Sequence, residues 1–300
     1  MKLDKTMPGL IVKKHGPELT QIPTPQIEHP DEVIVQVELA GICLTDLLVA
    51  QGKLPNVAGQ AFGHEFSGRV VAKGANCPLT INETVAVNPI IPCGTCSDCH
   101  KQLPHLCGNT QLLGVSQPGA FAKYCKVHRN QCYRVPANLA PSIAAYAEPV
   151  AAMLSILNCN IRPKDKVVVL GHGRIAKLCA FILSTQGIQI LEQSETENID
   201  FLIVISPTES LPVESLKTGG QIIVKSRAPS KLSIPYSTVV QKRITIRGVN
   251  YAPFSQALDF IQAYQEDMTQ FIGNHYPLAQ FKCAFSADDN KKAFLNLCAD

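Results

Sequence analysis

The chain has 300 residues, 46% of them apolar and 17% charged, with a formal net charge of +3. That composition suits one large or two ordinary globular domains and excludes a disordered chain. The charge is too small to argue for nucleic acid or a membrane surface, and no apolar run nears the roughly 18–20 residues of a membrane span.

The opening stretch "MKLDKTMPGLIVKKHG" is mixed and charged, without the apolar segment of a secretory signal, so the expected compartment is the cytoplasm. The first half then carries short β-like runs broken by Gly and Pro: "EVIVQVELAG", "FSGRVVAKG" and "ETVAVNPII". They predict a β-barrel or sandwich. Between the first two lie "GICLTDLL", with Cys43, and "GHEFSG", with His64 and Glu65.

Next comes "CGTCSDCHKQLPHLC", where Cys93, Cys96, Cys99 and Cys107 fall within fifteen residues at C-x2-C-x2-C-x7-C spacing. Disulfides are rare in the cytoplasm, whereas four thiolates close a tetrahedral zinc shell. A closed shell leaves no position for substrate, so this zinc is expected to be structural. Phe121 in "PGAFAKY" fits either a pocket wall or barrel core.

Near residue 150 the pattern changes. "AEPVAAMLSILNC", with Glu148 near its start, has helical spacing. "KVVVLGHGRIAKLCAFILSTQG" reads as a buried strand, a turn and an apolar helix. Its Gly171, Gly173 and Ala176 form a G-x-G-x-x-A turn suited to a pyrophosphate at a helix N-terminus. "FLIVISP", "GGQIIVKS" and "ITIRGVN" predict further short buried strands, and the alternation is that of a parallel α/β sheet. The expected domains are 1–149 with 268–300, carrying the cysteine lobe at about 90–110, and 150–267.

The ordered set "GIC.TD", "GHE", the four-cysteine lobe, "EP" and the Gly-rich turn, with "SLKTGGQIIVK" and "RITIRGV" further on, resembles the zinc-containing medium-chain alcohol and polyol dehydrogenases. The Glu-Pro form looks most like the sorbitol, threonine and glucose dehydrogenase branch. The resemblance covers nearly the whole chain. It implies a GroES-like β-barrel catalytic domain joined to a Rossmann domain. It implies a catalytic zinc at Cys43 and His64, with Glu65 and Glu148 as the carboxylates that ligate or approach it. It implies a structural zinc at the four clustered cysteines, Thr45 as the contact to substrate oxygen, and dimers or tetramers. The implied activity is hydride transfer between a small or medium alcohol or ketone and a nicotinamide cofactor.

Several positions depart from the family pattern. Leu48 stands where many members carry a relay histidine, and Leu44 where Gly or a basic residue is common. Asp46 is expected to cap a turn or helix. Asn250 and Tyr251 follow Gly248-Val249 in place of the arginine of polyol-oxidising relatives, which points away from a sugar alcohol. For the ribose, Glu192 and Glu195 are the acidic candidates. No Arg or Lys occurs between Lys177 and Lys217, so NAD is favoured over NADP. Only Gln193–Asn198 join the acidic stretch to "FLIVIS", at most ~20 Å of chain, whereas a parallel crossover needs about a dozen residues or more. A Rossmann sheet lacking about one strand and one helix at the adenosine edge is therefore expected. Three readings follow: a zinc-dependent NAD(P)-linked alcohol dehydrogenase; a catalytically weak relative that binds a nucleotide or partner; and an enzyme of this fold doing another redox or lyase step.

Overall fold

The computed structural model describes residues 3–192, 197–206, 211–226, 233–288 and 290–299. The chain divides into two compact units, Met1–Pro149 with Pro253–Asp300, and Val150–Ala252. The return to the first unit falls at Pro253, ahead of the expected residue 268. The helix Phe254–Ala263 accounts for this, because it buries Phe254, Ala257, Leu258 and Ile261, and the Phe254 ring lies 4.9 Å from that of Tyr133.

The first unit is built on a seven-stranded sheet. Ile272–Pro277, Lys292–Asn296, Glu32–Gly41, Glu65–Lys73, Thr84–Val87 and Cys132–Arg134 follow one another across it, and Tyr124–His128 also pairs with Glu32–Gly41. Its pairings are antiparallel except that of Ile272–Pro277 with Lys292–Asn296. The central strand, EVIVQVELAG, is β-branched and buries Val33, Val35 and Val37 in one core with Phe62, Phe66 and Val85. Such residues fill a pleated, two-sided buried strand. Phe121 belongs to that core. It is fully buried, edge-on to Phe62 with ring centroids 5.1 Å apart.

Two register facts place the site. Gly41, at the end of the central strand, lies opposite Glu65 on one side and Phe294 on the other. Cys43 and His64 are each within two residues of that row, so the strand pairing itself brings them together.

The second unit holds a four-stranded parallel sheet in the order Val167–Leu170, Ile199–Val204, Leu216–Val224, Thr245–Gly248. Beyond Val167–Leu170 the sheet continues only as a single parallel bridge from Val167 to Ile190 among the described residues. The expected shortening at this edge is thus seen as one bridge where a strand would stand. The other edge corrects an expectation: Thr245–Gly248 is exposed at all four residues, because a last strand has a neighbour on one side only. Ile246 on that strand and Tyr236 and Val240 on the helix Tyr236–Lys242 are large exposed apolar side chains.

Candidate metal centres and dinucleotide turn

Cys93, Cys96, Cys99 and Cys107 bring their sulfurs within 4.8 Å of one another. The Sγ···Sγ separations are 4.0 Å for Cys93–Cys99, 3.5 Å for Cys96–Cys99, 3.8 Å for Cys96–Cys107 and 3.6 Å for Cys93–Cys107. A tetrahedron with Zn–S bonds of about 2.3 Å has sulfur–sulfur edges of about 3.8 Å. The set therefore fits zinc, and it is far wider than the ~2.05 Å of a disulfide bond. Local donors prepare one ligand as an anion. The Thr95 backbone N–H, then its hydroxyl at 3.6 Å, lower the Cys93 thiol to about 6. Withdrawal from water and the Cys96 thiol beside it raise Cys99 to about 12.

The second set lies at the ends of the paired strands. Cys43 follows the central strand and stands immediately before the helix Leu44–Ala50, while His64 directly precedes the strand Glu65–Lys73. One ligand atom from each of Cys43, His64 and Glu65 falls within 4.8 Å of the others. Thiolate, imidazole and carboxylate with a fourth position left to the substrate side is the donor set of an open zinc site. Glu148, in the first turn of Ala147–Leu154, is buried at 6% exposure, but its carboxylate is outside this group of three. Thr45 is half-buried on the Leu44–Ala50 helix, Leu48 is half-buried, and Leu44 is 60% exposed.

Two residues shape the set beyond what the sequence suggested. Asp46 does cap, since the Cys43 backbone N–H donates to its Oδ2 at 2.9 Å. The same carboxylate also accepts from His64 Nδ1 at 2.8 Å through Oδ1. That bond leaves Nε2 to meet the Cys43 sulfur, and it is the carboxylate–histidine arrangement that orients metal-binding imidazoles. The second is Lys292, fully buried, whose Nζ donates to Glu65 Oε2 and to the Ile42 carbonyl at 3.1 Å. Asp46 was legible only as a cap, and Lys292 lies far away in the sequence with no motif around it.

Burial by itself would lower the His64 pKa, but the Asp46 charge and hydrogen bond and the adjoining Cys43 outweigh it and hold it well above the ordinary imidazole value.

In the second unit, Gly171 has φ +147° and Gly173 φ +75° at the junction of Val167–Leu170 and the helix Gly173–Thr185. A side chain at Gly171 would start 2.9 Å from Ile205 Cβ, so both backbone conformation and space call for glycine there. Ala176 is half-buried on the helix. Arg174 in its first turn is buried and adds positive charge beside the turn, a residue that the Gly-x-Gly pattern does not flag. Glu192 is exposed, two residues past the Val167–Ile190 bridge, at the carboxyl side of the sheet. Glu195 lies outside the described residues.

Residues 29–137 match the family model of the alcohol dehydrogenase GroES-like domain. L-threonine 3-dehydrogenase of Bacillus subtilis (strain 168) is 27% identical over 321 residues, spanning 90% of this chain and 91% of that protein. A solved structure from Sinorhizobium meliloti 1021 bound to NADP superposes with a TM-score of 0.87 at 22% identity, over 98% of this chain and 100% of that one. Alcohol dehydrogenase TADH from Thermus sp. ATN1 gives a TM-score of 0.82 at 23% identity, over 97% and 99%. These likenesses match the two units described above, a GroES-like sheet and a four-stranded parallel sheet. Among the described residues no helix is long and apolar enough to cross a membrane.

A pH dependence follows from His64. Its raised pKa means that the His64–Asp46 pair stabilises the metal-free protein fully below the usual imidazole value of about 6.5, and that this is lost as pH rises through the raised folded pKa. Metal must displace that proton, so zinc uptake by the Cys43 set strengthens as pH rises over the same window. Zinc titrations between about pH 6 and 9 check this; uptake independent of pH contradicts it.

Proposed function

We infer that the chain is a member of the zinc-containing medium-chain dehydrogenases and a zinc-dependent alcohol dehydrogenase, transferring hydride between a small or medium alcohol or ketone and a nicotinamide cofactor; the GroES-like match and the threonine dehydrogenase and alcohol dehydrogenase likenesses support this. The observation that carries this reading is the convergence of half-buried Cys43 with buried His64 and Glu65, with His64 aimed by Asp46.

In this reading Cys43, His64 and Glu65 hold the catalytic zinc, Glu148 is a further carboxylate near it, and Cys93, Cys96, Cys99 and Cys107 hold the structural one. Bound zinc supplies Lewis acidity that lowers the pKa of an alcohol oxygen. Thr45 offers its hydroxyl to that oxygen and is the first acceptor of the departing proton. Leu48 carries no titratable group, so the onward route runs to water or a carboxylate. Gly171, Gly173 and Ala176 let the cofactor pyrophosphate approach the helix N-terminus, and Arg174 adds charge there. Glu192 is the residue for the ribose hydroxyls, and an acidic side chain at that position disfavours a 2′-phosphate. NAD is therefore preferred over NADP, although the Sinorhizobium meliloti relative holds NADP.

The exposed Thr245–Gly248 edge, with Ile246, Tyr236 and Val240 beside it, supports assembly into a homodimer or homotetramer. A second reading, a catalytically weak nucleotide- or partner-binding relative, draws on the single-bridge adenosine edge together with Leu44 and Leu48.

Replacing Cys43 with Ser is expected to abolish zinc-dependent turnover and to lower the zinc count from two to one per chain; full activity in C43S sinks the dehydrogenase reading. A wild-type count of one, held by the four cysteines, favours the second reading. With the adenosine edge reduced, NAD binds weakly, and a calorimetric titration giving low-micromolar affinity contradicts that. Sedimentation is expected to return a dimer or tetramer that Ile246→Lys weakens, whereas a monomeric wild type refutes the assembly.

A further inference from the structure

The Glu65 carboxylate has a buried partner besides Cys43 and His64. Lys292 opens the strand Lys292–Asn296, and Phe294 two residues on lies opposite Gly41, which in turn lies opposite Glu65. Residues two apart on a strand share a face, so Lys292 projects on the Glu65 side of the sheet row. Its ammonium has no exposure to solvent. It donates to Glu65 Oε2 and to the Ile42 carbonyl, and it stands 5.7 Å from the centre of the Tyr146 ring, within cation–π range. Gly41 leaves room for the pair: a Cβ there would lie 2.8 Å from Glu65 Oε2 and 3.2 Å from Lys292 Cδ.

A buried ammonium and carboxylate are costly to withdraw from water, and one without the other costs more. Here the pair meets beside two further metal-binding side chains. The same carboxylate thus accepts from the buried ammonium through Oε2 and places an oxygen within 4.8 Å of the Cys43 and His64 ligand atoms.

Resting on the reading of Cys43, His64 and Glu65 as a zinc set, we propose that Lys292 is a positioning residue for that set, holding the Glu65 carboxylate in place beside Cys43 and His64. Outer partners of metal ligands commonly change affinity by about 10–100-fold when removed. Lys292→Met keeps the length and apolar stem and removes the donor.

The test titrates metal-free protein with zinc against a chromophoric chelator, and with Co²⁺ followed by visible absorption. Wild type binds two zinc ions. K292M retains the four-cysteine zinc, binds the second about 10–100-fold more weakly, and gives an altered Co²⁺ spectrum for that site. Unchanged affinity with an unchanged spectrum overturns the proposal. Where K292M does not fold, Gly41→Ala, which crowds both Oε2 and the lysine stem without removing a charge, is expected to weaken the second zinc in the same direction; unchanged affinity there overturns the proposal equally. A wild type that takes up one zinc overturns the zinc-set reading and this proposal together, whereas two zincs with an indifferent K292M overturn the proposal alone.

Discussion

The Asp46 carboxylate, fully buried, accepts from two directions at once: the Cys43 backbone N–H on one oxygen and His64 Nδ1 on the other. One oxygen fixes the start of the Leu44–Ala50 helix and the other fixes an imidazole eighteen residues further along the chain. The bridge ties the Cys43 backbone to the His64 ring. The bridge depends in turn on the pairing of Glu32–Gly41 with Glu65–Lys73, which brings the two ends within reach. The interaction is charged, short and dry, and hydrogen bonds to ionised groups in such surroundings are the strong ones.

The same small volume holds a second buried ion pair, Lys292 with Glu65. Buried pairs gain little or nothing over apolar packing of the same shape, because both charges give up their water. Their presence in a core otherwise filled by Val, Phe and Leu fits a region shaped for ligand binding rather than for maximal stability. In the same core Phe62, Phe121 and Phe285 form an aromatic cluster, with centroids 5.1 to 6.2 Å apart.

Much of this was legible in the chain. The four-cysteine spacing fixed a lobe, because ligands that close in sequence close in space. The Gly-x-Gly turn was legible because only glycine adopts the backbone required at Gly171. The reduced edge, a single bridge among the described residues, could be inferred from the short connection between the acidic stretch and "FLIVIS". What the chain concealed were partnerships made by register. Asp46 looked like a helix cap, and its second bond, to His64, depends on a strand pairing that no local pattern encodes. Lys292 sits in "DDNKKAFLN", which reads as an ordinary surface run, and only its place beside Phe294 in the sheet buries it. The Thr245–Gly248 strand read as buried from its neighbours in sequence, yet exposure is decided by position in the sheet, which composition does not report.

The distances along the chain at which the two cysteine-containing sets close differ greatly. The lobe closes over fifteen residues, from Cys93 to Cys107. The Glu65 carboxylate meets its lysine across 227 residues. Bringing chain ends together costs entropy that grows with the logarithm of the loop, and contacts between distant residues are slow to form. The lobe is therefore a knot that local chain motion can tie, while the Cys43 set in its finished form waits for the strand Lys292–Asn296. A polypeptide emerging in order has the four cysteines together long before Lys292 exists to meet Glu65.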